Sequence, residues 1–476
     1  MKTKGHRNPF LVFILVFLAG CAMGPNYKRP AVKTPSDYRF ATVQATNSLG
    51  DLPWWEVFKD PDLRELIREA LTNNYDIKQA AARVEEARQF VTVARSAFFP
   101  QVGYNGEIGR GKNPLVSTPL PQQESTENLV LATVNAVWEI DFWGRIRRLT
   151  EAARAQYLAT DEARRGVTIT LVSDVATAYF TLMQLDAELE IERSATNAYA
   201  GSYRIFDERR INGVASRLET DRAAAALANA AAVIPQIEFQ IATTENQISI
   251  LLGRNPGIIP RGSLKDQPPF SPGIPAGLPS DLLQRRPDIL EAEQTMIAAN
   301  AGIGASLADF FPRIGLTAFY GKISPELSAF SSGSSTAWNA AATVTGPLFQ
   351  GGQLRAEYRA AKARFDETRA AYEQTILAAF QEISNVLISR QKLAETRVYN
   401  AQAVDALLAS VKLAIERYLN GKSSYFEVLQ AQEELYPTQF ALVQTQAGEL
   451  IAVVQLYRAL GGGWQTPETP ATNAPK

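Results

Sequence analysis

Apolar and polar residues alternate along two parts of this chain and recur every three or four positions along most of the rest. From Gln101 to Arg110, Val102, Tyr104 and Ile108 fall on one side. From Leu129 to Asp141, Val130, Ala132, Val134, Ala136, Trp138 and Ile140 oppose Thr133, Asn135, Glu139 and Asp141. A period of two marks a strand. The pattern returns later: Ile314, Leu316, Ala318 and Tyr320 oppose Arg313 and Thr317, and Trp338, Ala340, Ala342 and Val344 oppose Asn339, Thr343 and Thr345. Two hairpins are expected, at about 101–142 and 313–349. Strands of about ten residues with one apolar face fit an outer-membrane barrel, although a soluble hairpin packed on a core shares the alternation.

Elsewhere the period lengthens. Residues 75–98 lack Gly and Pro and are rich in helix formers, and Pro100 ends that helix. Residues 145–211 and 353–419 contain no Pro, and the second stretch contains no Gly. Leu171, Val175, Ala178, Leu182, Leu185 and Leu189 step by four and three, as do Ala394, Val398, Ala401 and Val404. That is the period of coiled-coil packing. Each such helix is about 100 Å long at 1.5 Å per residue. The return helices, 216–252 and 424–460, are shorter. A short helix stacked on the end of each would match the long antiparallel neighbour.

The two halves repeat one another. Asn74-Tyr-Asp-Ile77 and Arg286-Pro-Asp-Ile289 precede Phe98-Phe-Pro100 and Phe310-Phe-Pro312 at one spacing. Arg209-Arg-Ile-Asn-Gly-Val-Ala-Ser-Arg-Leu-Glu219 matches Arg417-Tyr-Leu-Asn-Gly-Lys-Ser-Ser-Tyr-Phe-Glu427, and Leu252-Gly253 matches Leu460-Gly461. The expected organisation is a leader at 1–20, an extended N-terminal segment at 21–61 and a first repeat at 62–254. A Pro-rich linker at 255–279, a second repeat at 280–463 and a tail at 464–476 follow.

The leader changes the chemistry available. Lys2, Lys4 and Arg7 precede the apolar run Phe10–Leu18, which is too short to span a bilayer and fits an export signal. Leu18-Ala-Gly-Cys21 resembles a lipoprotein cleavage site, with Cys21 as the acylated first residue. Removal of 1–20 also takes the only His, His6, and leaves Cys21 as the only Cys. His bases, thiol nucleophiles, His/Cys metal sites and disulfides are then absent from the body of the chain. With 48 Lys+Arg against 49 Asp+Glu, nothing points to nucleic acid. No later segment reads as a transmembrane helix, so any spanning falls to strands.

Two hairpins supply four strands, fewer than the roughly eight a barrel needs, and cyclic symmetry is the usual remedy. Here the residues meet a known family. Cys21-Ala-Met-Gly-Pro-Asn-Tyr-Lys-Arg-Pro30, the Phe-Phe-Pro pair, Phe142-Trp-Gly-Arg145, Gly346-Pro-Leu-Phe-Gln-Gly-Gly352 and Arg417-Tyr-Leu-Asn-Gly421 resemble the outer-membrane factors, the TolC-like and OprM-like ducts. The likeness is strongest to the lipoprotein branch serving resistance-nodulation-division pumps. It implies a mixed α and β membrane protein: a homotrimer with a twelve-stranded outer-membrane β-barrel continuous with a periplasmic α-helical barrel. It also implies a periplasmic adaptor (membrane fusion) protein and an inner-membrane transporter as partners, outer-membrane lipid around the barrel, and no cofactor or catalysis.

On that resemblance the turns at Asn212–Ser216 and Asn420–Ser424 are periplasmic tips that meet the adaptor. Gly213 and Gly421 supply the left-handed conformation where a long helix reverses. Glu219, Tyr418 and Glu427 are the expected tip gate, since threefold assembly gathers three copies of each acid near one axis. In the family's secretion-type channel an aromatic and an acid lock the tip, and their matches are Tyr418 and Glu219. Two further lock positions hold Ser423 and Gln430 here, so the lock differs, with Asp221 and Arg222 as substitutes. Trp138, Trp338, Tyr104 and Tyr320 are core or membrane-interface aromatics. Competing readings are a type I secretion outlet, a coiled-coil lipoprotein that tethers the envelope, and a carboxylate-pair glycosidase for which no pair stands out.

Overall fold

The structure, a computed structural model, describes residues 22–41, 48–112, 126–267, 275–331 and 333–464. The leader, Cys21 and nearly all of the tail lie outside the described residues. The chain divides into two compact units. One holds the chain to Ala31 with Arg83–Asp161 and Glu291–Glu373; the other holds Val32–Ala82, Glu162–Leu290 and the chain from Gln374.

In the first unit, β1 (Gln101–Lys112), β2 (Thr126–Ile140), β3 (Arg313–Ser324) and β4 (Thr336–Thr345) form one antiparallel sheet in the order β1-β2-β3-β4. The register puts Tyr104, Val134, Tyr320 and Trp338 in one row, and Val102, Ala136, Ala318 and Ala340 in another on the same face. Gly103, Asn135, Phe319 and Asn339 form a row on the opposite, more polar face. The strands stop at Ile140 and Thr345, short of the expected 142 and 349. Asp141 leaves the ladder because its carboxylate accepts from the N–H groups of Ile146 and Arg147, at 2.9 Å each. Past Thr345, Pro347 cannot donate to a ladder, and Gly351 and Gly352 take φ of 55° and 92°.

Residues 22–30, within the expected extended segment, are bound to α4 (Arg145–Ile211) and α7 (Pro287–Ala308). Arg148 donates to the Met23 carbonyl at 3.0 Å and to Asn26 Oδ1 at 2.9 Å, and Asn300 donates to the Pro25 carbonyl at 2.9 Å. Buried Glu293 accepts from the Tyr27 hydroxyl at 3.0 Å and from Arg29 Nε at 2.6 Å. Gly24 crosses Gly304 so closely that a Cβ on Gly24 would stand 2.5 Å from the Gly304 Cα.

In the second unit, residues 48–57 depart from the extended segment expected at 21–61. A 3₁₀ turn at Leu49–Asp51 leads to α1 (Trp54–Val57), whose Trp54 is fully buried. Ser48 and Asp51 close a capping box there, which is a local signal too short to show in hydrophobic periodicity. In α2 (Pro61–Asn73), Leu63 and Ile67 join the core, and Asp60 caps its first turn while accepting from the Tyr179 hydroxyl at 3.0 Å.

Four helices carry this unit's packing: α4, α5 (Arg217–Leu251), α8 (Gln353–Leu419) and α9 (Tyr425–Ala459). The seam on α4 is buried from Leu171 to Leu189. The seam proposed on α8 is not. Val404 is buried, but Val398 is 50% exposed, so that stripe is only partly covered among the described residues. One stretch of α4 is also apolar and long enough to cross a membrane, contrary to the sequence expectation, and 67% of it is buried inside the chain.

Two side chains splice helix ends together. Asn74 donates to the Leu251 carbonyl at 2.9 Å at the end of α5, while its Oδ1 accepts from Asp76 N at 2.7 Å at the start of α3 (Tyr75–Ser96). Arg286 does the same between α6 (Pro279–Arg285) and the next helices. It donates to the Ala459 carbonyl at 2.9 Å, to Asp288 of α7 at 2.7 Å and to Glu382 of α8 at 2.7 Å. The paired motifs Asn74-Tyr-Asp and Arg286-Pro-Asp thus occupy equivalent joints.

Candidate functional site

Each hairpin of long helices reverses through a glycine. Gly213 has φ of 71° and Gly421 of 67°, and both close Schellman motifs. Val214 N donates to the Arg209 carbonyl at 2.8 Å, and Lys422 N donates to the Arg417 carbonyl at 2.9 Å. Asn212 and Asn420 finish the helices alike, each donating Nδ2 to the carbonyl four residues back, at 2.8 and 2.7 Å. Nothing lies within 4 Å of a Cβ built on either glycine, so their constraint is φ alone.

The segments after the glycines differ. Ser216 and Glu219 form a capping box: Ser216 N donates to Glu219 Oε2 at 2.9 Å, and Glu219 N donates to Ser216 Oγ at 3.3 Å. Ser424 makes no such side-chain bond, although Ser424-Tyr-Phe-Glu427 has the same motif. There Glu427 lies 3.5 Å from Arg417, and both are about half exposed. Arg209, the residue equivalent to Arg417, donates instead to the Tyr418 hydroxyl and stacks 5.4 Å from that ring.

Tyr418 also belongs to an aromatic cluster joining the two hairpins. Phe206 lies 4.2 Å from Tyr425 and 5.9 Å from Tyr418, centroid to centroid, and Tyr418 meets Tyr425 edge-on at 5.7 Å. Burial pushes the Tyr425 phenol above its ordinary pKa. Arg222 stands over Phe426 at 5.8 Å, and Asp221 faces Arg217 at 3.5 Å, both largely exposed. The Ser423 hydroxyl is buried without a partner, and Gln430 donates to Glu434 at 3.2 Å. Among the described residues no hydrogen bond joins Tyr418 to Glu219, since the Glu219 carboxylate is taken by Ser216. Sequence reasoning missed Arg209 and Phe206, which hold Tyr418. An Arg–Arg pair facing an Arg–Tyr pair across the repeats was the available signal.

The sheet's apolar face is open. Tyr104 is 90% exposed, Ile108 80% and Trp338 73%, while Trp138 is partly covered and donates Nε1 to the Phe98 carbonyl at 2.9 Å. The outer edges of β1 and β4 pair with no other strand among the described residues. Apolar side chains on one face, polar ones on the other and two open edges are the features of a piece of membrane barrel.

A four-stranded sheet with one open apolar face, in a chain with two long helical hairpins, is the make-up of an outer-membrane channel. The chain belongs to the outer membrane efflux protein family, whose pattern matches residues 66–254 and 278–462. It is 35% identical over 465 residues to the cation efflux system protein CusC of Escherichia coli, covering 96% of this chain and 98% of that protein. With the solvent efflux pump outer membrane protein SrpC of Pseudomonas putida it shares 36% identity over 466 residues, again 96% and 98%. Among solved structures, the outer-membrane channel OprN superposes with a TM-score of 0.84 at 29% identity, covering 94% of this chain and 100% of that one. The open state of the Neisseria gonorrhoeae MtrE channel gives 0.83 at 28%, with 94% and 99% covered.

Proposed function

We propose that this chain is the outer-membrane exit duct of a tripartite efflux pump. Three copies close a shared twelve-stranded barrel through which small toxic compounds leave passively. The observation that carries this reading is the four-stranded sheet, with its open apolar face and two unpaired edges, in a chain of the outer membrane efflux protein family. A trimer satisfies both edges without a new fold, and the exposed seam at Val398 supports contact between copies. A purely tethering lipoprotein leaves that sheet unexplained.

An inner-membrane resistance-nodulation-division transporter supplies the energy, and a periplasmic adaptor meets the two turns. The exposed apolar residues Ile211, Val214, Leu218 and Leu419 around Asn212–Ser216 and Asn420–Ser424 support a docking role there. Cys21 carries the lipid. The duct needs no cofactor and performs no catalysis.

Tyr418, Glu219 and Glu427 act in the tip gate, the first through its aromatic cluster and the acids through charge. Planar-bilayer recording of the purified protein tests both pore and gate. A small resting conductance should rise when Tyr418, Glu219 and Glu427 are all replaced by Ala. An unchanged conductance removes the gate from these residues, and no channels from folded protein overturns the duct itself.

A further inference from the structure

Helix α4 carries two largely buried glutamates one turn apart, and among the described residues only one of them has hydrogen-bond partners. Glu188 accepts from Gln184 and Gln444, both at 3.0 Å. Glu192 is 5% exposed and has no hydrogen-bond or ion-pair partner among the described residues. It lines a groove of about 320 Å³ whose walls come from α4, α5 and α9.

The groove's chemistry is one-sided. Its lining includes Glu192 and Glu433 and no Lys or Arg. Tyr199 and Tyr436 meet there at 5.7 Å and 66°, forming an aromatic corner, and Phe440 is a further aromatic of the lining. Pro437 lacks an N–H, so the Glu433 carbonyl has no helical partner and stands as a further acceptor. A carboxylate held in a groove with no cationic side chain beside it is stabilised by a cation. Aromatic faces favour a weakly hydrated cation with an apolar body.

We propose that this groove binds an organic cation, a quaternary ammonium or arylphosphonium type, with its charge against Glu192 and its apolar body in the corner of Tyr199 and Tyr436. The inference goes beyond the duct reading. It is tested without a membrane, so either can fail while the other stands.

The test is equilibrium dialysis of the purified full-length protein in detergent with tetraphenylphosphonium, beside neutral triphenylphosphine oxide. Saturable binding of the cation, weakened about tenfold by Glu192→Gln and about threefold by Tyr436→Leu, is expected. Glu238→Gln, an exposed acid paired with Arg193 outside the groove lining, should leave it unchanged. Equal binding by native protein and Glu192→Gln, or equal uptake of the neutral compound, overturns the proposal.

A folding defect is separable from lost binding. Burial pushes the Glu192 carboxyl above its ordinary pKa. The groups facing it are Glu188 and Tyr199 on α4 and Glu433 and Tyr436 on α9, and the α5 wall contributes no ionisable side chain. The folded state therefore prefers the protonated acid, and its contribution to stability is lost as pH rises through that raised pKa. Glu192→Gln should be at least as heat-resistant as the native protein at pH 7.5, with the gain vanishing below about pH 4.5. Weaker binding by this stable variant is then a property of the groove.

Discussion

The two hairpin turns carry one motif and use it differently. Both read Asn-Gly followed by Ser-x-x-Glu, and both begin from an Arg whose carbonyl closes the Schellman motif. At the first turn Arg209 is drawn to Tyr418, so Glu219 is free to cap α5. At the second, Arg417 takes Glu427, and α9 starts uncapped. One aromatic, Tyr418, occupies the position that Arg210 holds in the first copy. A motif therefore fixes which bonds are available, and a neighbour decides which one forms.

The largest effects should treat both turns alike. Gly213→Val and Gly421→Val each force a β-branched residue to positive φ, costing about 1–2 kcal/mol in local stability. Hydrogen exchange of the turn amides should rise comparably in both; a loss at one turn alone would show that the other reverses by a different route.

Smaller changes should separate them. Ser216→Ala removes a formed cap and should cost about 1 kcal/mol, read as faster exchange of the Glu219 amide. Ser424→Ala removes a cap that does not exist and should leave the Glu427 amide nearly unchanged. The smallest effect is expected at Arg417. Its half-exposed pair is worth about 0–1 kcal/mol and is screened by salt, and Arg417→Ala frees Glu427 to cap α9. The net change should be a few tenths of a kcal/mol, and Ser424→Ala should then become costly in that background. Full additivity of the two substitutions would break the competition argument.

Much of the fold was legible because it rests on period. Pro-free stretches gave the long helices, and strict alternation gave the apolar sheet face carrying Tyr104, Tyr320 and Trp338. What escaped is set by partners distant in sequence. Nothing near Tyr27 or Arg29 points to Glu293, and nothing near Asn74 points to Leu251. The two Ser-x-x-Glu motifs are alike in sequence, and only the structure shows that the first closes a capping box and the second does not. The Glu192 groove was invisible for the same reason, since a satisfied and an unsatisfied glutamate look alike in sequence.

The joints at Asn74 and Arg286 bear on how these helices can move. Across each joint the rod passes from one part of the chain to another, bridged by side-chain hydrogen bonds, ion pairs and packing instead of a continuous helical backbone. A continuous helix such as α4 must transmit any twist along its backbone, whereas α5 and α9 each end in a buried joint where no helical backbone continues into the next segment of the rod. Each hairpin therefore pairs an unbroken shaft with a jointed one, and a change of angle at the joint would break side-chain bonds there before any backbone bond in the unbroken helix.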